Sequence, residues 1–61
     1  MIKQALISKL EGEVAMHRAD LRKFFTSQTG VAEHIDFVAT AEKKLESLTT
    51  AEDKLERLKT L

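Results

Sequence analysis

Twice along this chain a mainly apolar series of side chains recurs at alternating steps of three and four, with a single interruption between the two runs. The first run is Ile7, Leu10, Val14, His17, Leu21 and Phe24; the second is His34, Phe37, Ala41, Lys44, Leu48, Ala51, Leu55 and Leu58. Such spacing lines each run up as one stripe of an α-helix, a heptad-like seam suited to packing against another helix. Leu6 and Phe25 flank the first seam, one on either side, and Val38 and Leu45 widen the second. Both stripes are therefore broader than a two-stranded coiled coil uses.

The interruption is Ser27-Gln28-Thr29-Gly30-Val31. Gly30 suits the left-handed residue that follows a helix C-cap, and Val31 is placed to fold back onto Phe25 or Thr26. The pattern predicts helix one over about residues 2–28, a turn at about 29–32 and helix two over about 33–59, in a single domain spanning residues 1–61. Glu33 and Asp36 then fall in the first turn of helix two, where negative charge meets the positive end of the helix dipole. A connection this short forces antiparallel neighbours, so the expected fold is all-α, an antiparallel two-helix hairpin. The competing arrangement, one helix running through Gly30, would be about 90 Å long at roughly 1.5 Å per residue.

Two smaller features leave that expectation unchanged. AEKKLESL at 41–48 returns as AEDKLERL at 51–58, but the ten-residue offset rotates the copy by about 80° around the helix, so the two present different faces. Thr49-Thr50 separates them, and Thr50 with Asp53 has capping-box spacing. The seam nevertheless passes through without a break in phase, which predicts a continuous helix. Gly12 lies off the first seam and costs about 1 kcal/mol of helix propensity without disturbing the packing.

Composition points to association. Eighteen large apolar side chains follow Met1 in a chain of 61 residues, more than one two-helix layer can hide. Small scaffolds normally add disulfides, a metal or a second subunit. Cysteine is absent, which removes the first remedy, and no metal-ligand spacing supports the second. The expectation is self-association, two hairpins forming a homodimeric four-helix bundle; Leu, Phe and Ala on the seam leave trimers and tetramers open. The expected interface comprises Leu6, Ile7, Leu10, Val14, His17, Leu21, Phe24, Phe25, Phe37, Val38, Lys44, Leu45, Leu48, Leu55 and Leu58.

Charge narrows the function classes. Ten basic groups balance ten acidic ones. Residues 1–29 carry five basic and three acidic groups and residues 30–61 five and seven, a mild asymmetry that favours packing one half on the other. Nucleic-acid binding would show as a basic surplus or stripe. The nearest feature is a ridge of Arg18, Arg22 and Lys23, which makes a nucleic-acid-associated accessory protein the alternative function. No apolar run approaches a membrane span, and Lys3 and Lys9 bracket the early apolar residues, so a cytoplasmic protein is expected.

Candidate chemistry is sparse. His17 is titratable and sits on the seam, with Glu13 one turn before it and Lys44 opposite at the same level in an antiparallel hairpin. A polar break on each helix at one level serves to fix register and partner number. Glu33, His34 and Asp36 cluster at the turn, but neighbours on a helix diverge by about 100°, and His34 lies roughly 15 Å from His17 along the axis, too far to share an ion. No nucleophile and base are arranged for catalysis and there is no glycine-rich phosphate loop. No enzyme activity, cofactor or metal site is expected.

The turn Gly30-Val31-Ala32-Glu33-His34-Ile35-Asp36, followed by a helix containing Ala51-Glu52-Asp53-Lys54-Leu55-Glu56, resembles a group of very small helical proteins encoded by marine T4-like bacteriophages. Those open with a similar Leu- and Lys-rich helix, carry a Gly-Val-Gly-Glu-His-Pro-Asp-like turn and end in an Ala-Glu-rich helix. Here Ala32 stands for the usual second glycine and Ile35 for the usual proline. A proline at that position would make His34 the N-cap and start helix two at Ile35. The resemblance implies a phage accessory protein acting in a bacterial cytoplasm. The wide apolar stripes, with no catalytic constellation beside them, make the expected function a non-enzymatic interaction module that binds a host or phage protein through a helical face.

Overall fold

The computed structural model describes residues 1–27 and 35–61. Two helices account for nearly all of them: α1, Ile2–Ser27, and α2, Ile35–Lys59. They pack against each other in a hairpin measuring 47 × 15 × 12 Å. A single helix of this length would be about twice as long. The turn expected at 29–32, with Gly30 and Val31, lies outside the described residues, as do Glu33 and His34. Helix two is described from Ile35, with Asp36 in its first turn; the start expected at about residue 33 lies outside the described residues.

Each helix end uses local chemistry. At the end of α1 the Thr26 and Ser27 hydroxyls donate to the Lys23 carbonyl at 3.1 and 2.7 Å, folding the polar side chains of the last turn back onto the helix backbone. At the end of α2 Arg57 and Lys59 meet the negative end of the dipole. There the Thr60 hydroxyl and amide both donate to the Arg57 carbonyl, at 2.7 and 3.1 Å. Helix two runs unbroken through Thr49-Thr50, because the apolar stripe keeps its phase across that pair and packing overrides a local capping signal.

Burial follows the two seams. Leu10, Val14 and Leu21 of α1 and Leu48 and Ala51 of α2 are buried, Leu10 and Ala51 most completely at 4% exposure. Ile7, His17, Phe24, Phe37, Ala41, Lys44, Leu55 and Leu58 are half-buried. Val14, Leu21, Leu48, Ala51 and Leu55 form the central cluster. Towards the turn, Phe24 meets Phe37 edge to face, with centroids 6.2 Å apart and planes at 70°. That geometry aligns the positive ring edge with the negative ring face and contributes about 0.5–1.5 kcal/mol beyond burial.

Gly12 lies mid-helix, and a Cβ built on it would meet nothing within 4 Å. Gly12→Ala should therefore stabilise the hairpin by about 1 kcal/mol through helix propensity alone. For a domain of this size that is a rise in Tm of roughly 4–8 °C in a circular-dichroism melt.

Candidate functional site

A two-helix pair has two open flanks, and a step of seven residues returns a side chain to the same flank. On one flank Arg18 of α1 reaches Glu52 of α2, Nη2 to Oε2 at 3.1 Å. An open groove there is lined by Val14, Arg18, Glu52, Leu55 and Lys59. Phe25 lies seven residues beyond Arg18, Leu45 seven before Glu52 and Val38 seven before Leu45. All three therefore share the Arg18 flank, at its turn-proximal end, and all three are exposed, at 63, 50 and 58% respectively.

The other flank is marked by Glu13. One groove on it is lined by Glu13, His17, Lys43, Ser47, Ala51 and Lys54. A second, nearer the open end, is lined by Leu6, Lys9, Leu10, Glu13, Lys54, Arg57, Leu58 and Leu61. Leu6 is 41% exposed in it. The flanking apolar residues thus divide into two clusters on opposite flanks and at opposite ends of the hairpin. The seam residues among the expected interface set are occupied in the chain's own packing; Leu6, Phe25, Val38 and Leu45 are the ones left open.

Lys44 shows how the seam accommodates a charge. Its ammonium donates to Asp20 Oδ2 at 2.8 Å and lies 5.6 Å from the Phe24 ring centroid. The aliphatic stem covers apolar surface while the head keeps an acidic partner and an aromatic face. Sequence reading placed Lys44 level with His17 and missed Asp20. The signal was present, since Asp20 flanks the seam one turn before Phe24, within reach of a long side chain.

His17 is half-buried and borders the groove that Glu13 marks. Lys9 donates to Glu13 Oε2 one turn earlier. That hydrogen bond, with the Lys9 charge, holds the Glu13 carboxyl below its ordinary value; desolvation opposes it, and Lys54 and His17 add smaller lowering contributions. The basic ridge is less unified than its sequence suggests. Arg18 is engaged by Glu52, and Lys23 points about 100° around the helix from Arg22. Among the described residues no group of three or more His, Asp or Glu side chains is placed to hold a metal ion. Within the same residues no helix is long and apolar enough to cross a membrane.

The Glu13 shift gives a pH dependence of definite sign. A carboxyl whose folded value is depressed stabilises the fold above its unfolded value of about 4.3, and that contribution disappears as pH falls through the folded value. Glu13→Gln should therefore flatten the acid limb of Tm against pH below about 4.5 and leave the slope near neutrality unchanged. Added salt should shrink the difference, because the pair is exposed.

No family model, curated protein or solved structure matches this chain.

Proposed function

We propose that this chain is a non-enzymatic helical interaction module that works as an oligomer, two hairpins assembling into a dimeric four-helix bundle. In this reading it is an accessory protein of the phage kind, which binds a host or phage protein in a bacterial cytoplasm. One observation carries the oligomer. The seam closes within the chain, yet Leu6, Phe25, Val38 and Leu45 stay 41, 63, 58 and 50% exposed. Phe25, Val38 and Leu45 share one flank, and clustered apolar surface of this kind marks an interaction site on a small protein; Leu6 adds a second, smaller patch on the other. The sequence supplies no nucleophile–base pair, so recognition by a helical face is the role the residues support.

Association also completes a core that is thin on its own. Closed two-fold symmetry is the commonest way to cover such a surface. His17 and Lys44 interrupt the two apolar seams, and polar breaks of that type restrict how many helices pack together and in what register.

Sedimentation equilibrium tests the reading: the apparent mass should rise from one chain towards two between about 1 and about 500 micromolar, with thermal stability rising alongside. A folded monomer of constant mass across that range would refute it. His17→Leu should raise stability and broaden the distribution of oligomers, since a leucine there would extend apolar surface into the Glu13 groove. A salt titration against DNA and RNA separates the alternative; no binding is expected even at low salt, whereas a steep salt slope would favour the Arg18, Arg22 and Lys23 ridge.

A further inference from the structure

We infer that the dimer forms through the turn-proximal half of the Arg18 flank, with the two hairpins side by side, both turns at the same end, and α1 of each copy lying over α2 of the other. This rests on the self-association reading above and adds a face, an orientation and a charge code to it.

The face follows from where apolar and charged groups fall. Phe25, Val38 and Leu45 occupy the turn-proximal half of that flank, all at least half exposed. In its other half the positions on the same stripes hold Glu11, Glu52 and Lys59, and the Arg18–Glu52 bridge closes the boundary at 3.1 Å. A second copy that covered the whole flank would desolvate those charges without need. A copy that covers the turn-proximal half meets an apolar centre.

The orientation follows from the rim. On α1 the rim of this patch is basic, with Arg22 one turn beyond Arg18; on α2 it is acidic, with Glu42 between Val38 and Leu45. Arg22 and Glu42 lack an ion-pair partner among the described residues. In the antiparallel register that Phe24 and Phe37 set, Arg22 and Glu42 stand within about one helical turn of the same level. Two-fold symmetry allows two ways of docking the patch on itself. An axis across the helices sets α1 on α1, so that Arg22 faces Arg22 and Glu42 faces Glu42. An axis along the helices sets α1 on α2, so that Arg22 of each copy meets Glu42 of the other and Phe25 meets Val38. Like charges at close range oppose the first arrangement and opposite charges favour the second. The occupant is thus a second copy of this chain, because the patch is complementary to itself.

The test is a charge swap on the full chain, read by sedimentation equilibrium with circular dichroism to confirm helix content. Arg22→Glu alone and Glu42→Arg alone should each weaken the dimer by about tenfold or more, since each places like charges at both symmetry-related contacts. An equimolar mixture of the two variants should restore association, because every contact then pairs opposite charges. Leu45→Gln should weaken the dimer and Leu6→Gln, on the opposite flank, should leave it unchanged. Single variants that associate like the wild type, a mixture that stays apart, or a dimer that responds to Leu6→Gln would each overturn the assignment of this face while leaving self-association intact. A wild-type chain that stays monomeric would overturn both.

Discussion

Two α-helices touch along one line, and this protein is shaped by how little such a line hides. Side chains on the facing stripes lose most of their contact with water; those a quarter turn away keep it. Among the described residues Leu10, Val14, Leu21, Leu48 and Ala51 therefore form the whole of the buried core. Phe25, larger than any of them, and Leu45, as large as their leucines, do not contribute. A third layer would be needed to cover them. The chain has spent its hydrophobicity on three surfaces where its own fold closes only one.

Electrostatics divides the remaining surface. Arg18 with Glu52 bridges one flank and Lys44 with Asp20 crosses the seam nearer the turn, while Lys9 with Glu13 stays within α1. Exposed pairs of this kind add little stability individually. Their effect is to select among arrangements of similar hydrophobic gain, since a slipped or inverted pairing of the helices would bring like charges together. The balanced total charge conceals this order, which appears only when residues are sorted by flank.

What the sequence made legible was whatever depends on period. Alternating steps of three and four identified both seams, and every described seam position is buried or half-buried. The exposure of Leu6, Phe25, Val38 and Leu45 was likewise implicit in their place beside the stripes. Pairings between side chains were harder to read. The expected level of Lys44 with His17 describes the backbone, but a lysine reaches several ångströms along its own stem and settles on the best acceptor in range, here Asp20. The approach of Arg18 to Glu52 needed the flank as well as the level of each residue.

The aromatic contact near the turn bears on how the hairpin comes together. Phe24 and Phe37 are thirteen residues apart in sequence, whereas Leu10 and Ala51, level with each other further down the pair, are separated by three times as much chain. Loop closure costs entropy that grows with the logarithm of the segment enclosed, so the aromatic pair is the least expensive meeting of the two helices. Once it has formed, each further layer of the seam adds contacts while restricting only a few more residues on either side. The pairs nearest the termini depend on all the layers before them. Loop entropy alone therefore favours pairing the described helices first at Phe24 and Phe37 and last at the chain termini.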